Sequence, residues 1–194
     1  MKDILVKQAI VVPFAAALLP MLIAFTVPEY SSVSQHLSEL ALLDHPIALI
    51  IRIADIIMGV SLLLLALGLL LSAPKRFFFT IVTSCILGAS MMSNGLFVMG
   101  SPLHGLYGAA LILPLAPACF AAEFCENRKI VTLSLAVALF TMVYLWLMLF
   151  GFDPEGFRGL TQRAATLVMW GWYSLASYAL IKSGTVPSKV RVFA

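Results

Sequence analysis

Charge is what this chain has least of. Only 11% of its residues are Asp, Glu, Lys or Arg, while 62% are hydrophobic and the mean hydropathy is +1.05. An ordinary globular domain is about 25% charged and about 45–50% apolar. A globule of about this length leaves roughly 30% of its chain surface in water, and this chain has too few polar residues to cover it. A water-soluble fold is excluded, and lipid is the solvent that fits. Cysteine is also sparse: Cys85, Cys119 and Cys125 lie within or at the inner end of apolar runs, so no disulfide framework is implied. Internal repeats, low-complexity segments and a soluble linker are missing. The net charge of +3 comes from basic residues paired between apolar runs, which is not the continuous basic patch a nucleic-acid partner requires.

What is present is a series of six apolar runs, at roughly 4–27, 46–72, 77–99, 102–124, 130–151 and 160–181. Each is close to the roughly 20 residues a spanning helix needs. They are continuous, without the period-two alternation of a membrane β-barrel. The expectation is an all-α fold: a polytopic bundle of six transmembrane helices forming a single transmembrane domain. Lys2 and Lys7 precede the first run, which resembles a signal peptide only superficially. The run is too long, and no small-x-small cleavage site follows at Thr26, Val27 and Pro28; the span is expected to be retained.

Lys and Arg set the expected orientation. One side carries Lys2, Lys7, Lys75, Arg76, Arg128, Lys129, Lys182, Lys189 and Arg191, the other only Arg52, Arg158 and Arg163. This places both termini in the cytoplasm and the acidic side, with Glu29, Glu39, Asp44, Asp55, Asp153 and Glu155, outside. A bacterial inner membrane is the expected location, membrane lipids are the expected partners, and the basic tail after Ile181 suits anionic headgroups.

Between the first two runs, Ser32 and Gln35 have capping-box spacing. Val33, Leu37, Leu40 and Leu43 follow at helical intervals, with Ser34, Ser38 and Glu39 opposite. The pattern predicts a short amphipathic helix in the interface, either covering the end of the bundle or roofing a pocket.

Ionisable groups within lipid cost at least about 2.5–3.5 kcal/mol at the helix centre, so those present need a partner or a task. Asp55 lies roughly 13 Å into the second span at 1.5 Å per residue. Arg52 stands one turn above it, and either Arg52 or Arg163 is its expected partner. Asn94 and Ser90 lie near the outer end of the third span. His104 is expected to open the fourth behind a Ser101–Pro102 cap. Gln162 and Arg163 open the sixth. The polar groups thus gather at one face, which argues against an ion pathway through the full thickness.

The run Tyr30-Ser-Ser-Val-Ser34-Gln-His-Leu-Ser38-Glu39-Leu40 resembles the signature of an uncharacterised bacterial membrane family, domain-of-unknown-function family 998. Asn94, Leu103-His104-Gly105 and Gly159-Leu-Thr-Gln162-Arg163 are similar to its other recurring positions. The likeness extends over roughly residues 28–182, with Ala41 standing where the pattern has Gly. It implies a six-helix membrane protein with no established activity.

Four chemistries compete. A serine hydrolase would take Ser34 or Ser38 as nucleophile, His104 as base and Glu39 or Asp55 to orient it, yet no Gly-x-Ser-x-Gly elbow is present. A metal or haem could draw on His36, Glu39, His45, Asp55 and His104, although His36 falls on the opposite face from Ser34 and Ser38; no particular cofactor or bound metal is indicated. The preferred reading is an outward-facing pocket that binds a lipid headgroup or lipid-linked anion and could modify it at the outer leaflet, as an intramembrane hydrolase or transferase would. In it Ser34, Ser38, Asn94, Gln162 and Arg163 bind, Glu39, Asp55 and His104 carry any acid–base step, and three helix N-termini favour the anion. The fourth is a non-catalytic membrane subunit whose polar residues only lock helices together. An open cavity distinguishes a site from a sealed cluster.

Overall fold

Backbone polar groups in lipid must be satisfied internally, which restricts a spanning chain to helices or closed barrels. In the computed structural model, which describes residues 2–186, the described residues form helices and no strand. The first crossing comprises α1 (Lys2–Lys7), a 3-10 turn (Gln8–Ile10) and α2 (Val12–Ala24). The break has a cause in Pro13, which offers no N–H to the Ala9 carbonyl and whose ring crowds it. The helices α3 (Pro46–Ser72), α4 (Phe78–Leu96), α6 (Arg128–Leu149) and α7 (Arg158–Lys182) follow, with the short α5 (Leu115–Glu123) between α4 and α6. Five helical stretches are long and apolar enough to cross a membrane. Lys189 and Arg191 lie outside the described residues.

The fourth span differs from expectation. Residues 100–108 run through turns, and only Ala109–Glu123 is apolar helix. Gly100, Gly105 and Gly108 take positive φ, as do Leu106 (51°) and Tyr107 (55°). Pro102, Pro114 and Pro117 crowd the same stretch, so a continuous helix from residue 102 is blocked. The segment still traverses the bundle. It starts beside the C-terminal end of α4, where the Asn94 Oδ1 accepts the Gly105 N–H. It ends beside the N-terminus of α4, where Glu123 accepts from Phe79 N (2.7 Å), Thr80 N (2.9 Å) and Thr80 Oγ1 (2.6 Å). That carboxylate satisfies the orphan amides of α4 at the positive end of its dipole.

The helices pack in a closed circuit: α2 on α3, α3 on α4, α4 on α5, α5 on α6, α6 on α7, and α7 back on α2. The closest approach joins α3 to α4, where a Cβ on Gly88 would lie 2.9 Å from the Gly59 carbonyl oxygen. Absence of side chains is what lets these two backbones meet. We call the end with residues 30–45 the upper end. The lower half of the ring is filled by aromatic rings. Phe120 meets Trp172 edge-on at 5.6 Å, and the Trp172 indole donates to the buried Ser134 hydroxyl at 2.9 Å. The outer surface is apolar instead, with Leu135, Leu139, Trp146 and Leu149 of α6 all exposed, as a lipid-facing helix requires.

The expected short helix after the first span forms later than Ser32 and as a 3-10 helix, Leu37–Leu42. Gln35 Oε1 accepts the Ser31 N–H at 2.7 Å, and Glu39 Oε1 accepts the His36 N–H at 2.8 Å. A helix cannot begin at Ser32 because the Gln35 carbonyl is held by Arg163 (3.3 Å) and the Val33 carbonyl by the Leu160 amide (3.0 Å). Tertiary bonds have overridden the local pattern. Leu40 alone of the segment is fully buried, at 0% exposure.

Candidate functional site: a cavity under the upper loops

A cavity of about 300 Å³ lies inside the upper half of the ring. Every wall contributes: Ala16 and Ala17 from α2, Asp55 and Met58 from α3, Met91 and Asn94 from α4, and Tyr144 and Leu145 from α6. Gln162, Thr166, Met169 and Trp170 come from α7, Leu37 and Ser38 from the roof, and His104 from the turn before α5. Trp170 stacks on Tyr173 beneath it (5.7 Å, 21°), so the aromatic plug is the floor.

Five of the eight residues singled out from sequence meet here: Ser38, Asp55, Asn94, His104 and Gln162. All five are partly exposed, so the cluster is not sealed. Ser34, Glu39 and Arg163 are not in the lining. The Glu39 carboxylate caps the 3-10 helix through the His36 amide. Ser34 lies in the turn above, its backbone N–H donating to Ser31 Oγ at 3.3 Å.

Arg163 is buried, at 5% exposure, and bound to the roof instead of the cavity. Its Nη2 donates to the Tyr30 hydroxyl (2.8 Å), and its Nη1 donates to the carbonyls of Gly159 (2.9 Å) and Gln35 (3.3 Å). The guanidinium also sits 5.5 Å from the Tyr30 ring centre. Burial pushes the Tyr30 hydroxyl above its ordinary pKa, against the opposing pull of Arg163.

The expected partnership of Asp55 with an arginine is corrected. Arg52 turns away to the end of α4, donating from Nε to Gly95 O (2.9 Å) and from Nη2 to Leu96 O (3.0 Å). These are carbonyls left without an intrahelical partner at the end of α4, at the negative end of its dipole. Among the described residues Asp55 has neither a hydrogen bond nor an ion pair, and its carboxylate is the only formal charge in the cavity lining.

His104 sits in the turn and does not open a helix. Its Nδ1 is 2.9 Å from the Phe97 carbonyl oxygen. A carbonyl only accepts, so Nδ1 carries a proton and donates to it. Ser90 donates to Gly105 O at 3.2 Å and Ser93 donates to Leu103 O. Together with Asn94 they hold this turn against α4. Gln162 Oε1 accepts the Leu37 N–H at 2.6 Å, tying the roof to α7.

Three of the expected arrangements are not seen among the described residues. Of the three helix N-termini expected at the upper end, that of the fourth span is not formed, since residues 100–108 run through turns, and the other two each have an amide engaged: Ile47 N donates to His45 Nδ1 at 3.2 Å and Leu160 N to Val33 O at 3.0 Å. No hydrogen bond joins His104 to Ser34, Ser38, Glu39 or Asp55 among the described residues, so an acyl-transfer relay is not assembled. Nor do three His, Cys, Asp or Glu side chains gather anywhere among them; His36 instead faces Asp153, with Nε2 3.7 Å from its carboxylate.

Sequence reasoning missed Tyr30, Tyr144 and Trp170. Tyr30 stood in the loop with no local feature to tie it to Arg163. Tyr144 reads as a polar group that its own span's backbone carbonyls can satisfy, and Trp170 carries no signal beyond the apolarity of its span.

Fold and cavity together define a multi-pass helical membrane protein with a polar-roofed chamber inside one end of its ring. Residues 10–179 match the family described as "Protein of unknown function (DUF998)", and the chain belongs to that family. No curated protein and no solved structure matches it.

Proposed function

We propose that the protein binds an amphiphilic small molecule or single lipid tail-and-head unit in this cavity. The observation that carries the reading is the unsealed chamber itself. Helix-locking polar clusters are closed by their mutual bonds, and Arg163, Gln162 and Asn94 fit that description. Asp55 does not, because it faces the chamber without a partner. Its neighbours Met58, Met91, Met169 and Leu145 provide an apolar body below a polar upper layer. The volume is at the small end of the range for ligand sites, about 300–1,000 Å³, so one chain or a small head with a short tail fits and a whole two-tailed lipid does not. The positive-inside bias supports placing this end on the outer face of a bacterial inner membrane, with both termini in the cytoplasm.

The anionic headgroup expected from the sequence loses its main support, since Arg163 is already engaged by the roof. The reading that remains is binding, with Asp55 and His104 as the groups that meet the polar end of the ligand. Native mass spectrometry of protein extracted in a mild neutral detergent tests it. Wild type retains a non-covalent amphiphile, and Ala110→Phe, which projects a ring into the chamber, loses it. Identical bound masses in the two proteins, or none in either, overturn the reading.

A further inference from the structure

The sign of the ligand's charge can be taken further, on the basis of that reading. Two features of the chamber point the same way. Its only formal charge is the Asp55 carboxylate, which no described side chain neutralises. The two arginines near enough in sequence or depth to do so are bound elsewhere, Arg52 on the carbonyls of α4 and Arg163 on Tyr30.

The walls add a second kind of attraction. Trp170 and Tyr144 are both in the lining, and indole and phenol faces attract cations, more strongly when water is excluded. A lone carboxylate in an apolar chamber needs either a counter-charge or a proton. We infer that the ligand supplies the counter-charge: the cavity takes an amphiphile with a cationic head, an alkyl amine or quaternary ammonium, its head on Asp55 and its tail over the methionine-lined wall. An anionic head would meet the same carboxylate with no arginine to offset it.

The test uses the full chain in neutral detergent and three probes with one tail: decyltrimethylammonium, decanol and decanoate. Binding is read by native mass spectrometry and by the shift in unfolding midpoint. The expected order is decyltrimethylammonium first, by about tenfold or more over decanol, equivalent to about 1.4 kcal/mol, with decanoate last. Asp55→Asn brings the cation level with the alcohol, and Asp55→Glu preserves the order. Equal binding of the three probes by wild type, or a preference for decanoate, overturns the inference while leaving an amphiphile chamber in place. So does a cation preference that survives in Asp55→Asn. Failure of all three probes to bind removes the chamber reading as well. The comparison on wild type stands without any variant, so a poorly folding mutant does not blunt it.

Discussion

Arg163 and Tyr30, 133 positions apart, are joined by a 2.8 Å hydrogen bond from guanidinium to phenol, and this bond fastens the roof to α7. A hydrogen bond to a charged group is worth about 1.5–3 kcal/mol. Tyr30→Phe should therefore lower stability by about that much. Arg163→Ala should cost more, about 3 kcal/mol or above, since it also removes the charged donor to the Gly159 and Gln35 carbonyls. The double variant should fall well short of the sum, because the two share one interaction. Unfolding midpoints in detergent measure all three; an additive result would mean the bond contributes nothing.

The same pair gives a pH signature. Burial raises the Tyr30 pKa above its usual value near 10, so the folded protein keeps a proton that the unfolded chain releases. The stabilisation is fully present below about pH 10 and is lost as the pH rises through the folded value. The stability gap between wild type and Tyr30→Phe should accordingly narrow above pH 10. A gap constant up to pH 11 would contradict it.

Asp55→Asn carries a sign opposite to that of an ion pair. Breaking a buried pair costs about 3–5 kcal/mol, but Asp55 has no partner to strand. Replacing a lone intramembrane carboxylate by an amide should leave stability unchanged or raise it, by at most about 3 kcal/mol. Glu155→Gln, on an exposed 3.6 Å pair with Arg158, should change it by less than about 1 kcal/mol. A marked loss of stability in Asp55→Asn would show a partner at Asp55 after all.

Gly88 tests the closest helix contact. A side chain there meets the Gly59 carbonyl at 2.9 Å, so Gly88→Val must separate α3 from α4 or distort one of them. Overpacking of this kind costs about 1–3 kcal/mol. Gly156→Val, where nothing lies within 4 Å of the added Cβ, is the matched control and should be near neutral.

Sidedness tests the broken span. Single reactive cysteines at Asp44 and Glu155 should be labelled from one side of the membrane, and those at Lys75 and Asn127 from the other. This follows from Glu123 reaching the N-terminus of α4. If positions 127 and 155 react from the same side, α6 does not cross between them and the arrangement of crossings is wrong.

Much of this was legible beforehand, for physical reasons that differ by region. Runs of Ile, Leu and Val such as Pro46–Ser72 declare a lipid-spanning helix through hydropathy alone, and α3 begins and ends where the sequence reading placed it. The fourth span misled because hydropathy averages over Gly105, Gly108 and Pro114, which decide backbone conformation without altering apolarity. The polar layer was visible as a layer, since depth follows from helix register. Direction within the layer was not. Arg52, Arg163 and Asn94 each turned to backbone groups of distant elements, and a sequence gives residue depth without giving those partners. The Ser32–Gln35 box failed for the same reason, when α7 claimed the carbonyls that a local helix would have used.

The interrupted fourth crossing also bears on how the protein is made. Its helical part, Ala109–Glu123, is shorter than the roughly 20 residues that insert on their own, and the turn from Gly100 to Gly108 exposes backbone that lipid will not solvate. This segment therefore has no stable place in the bilayer until α4 stands beside it, offering Ser90, Ser93 and Asn94 to its turn. Its own Glu123 returns the favour by capping α4. The expected order of insertion is α4 first, with the short span settling against it. Substitutions at Asn94 or Glu123 should then appear first as failures of insertion and yield, before any property of the finished protein is affected.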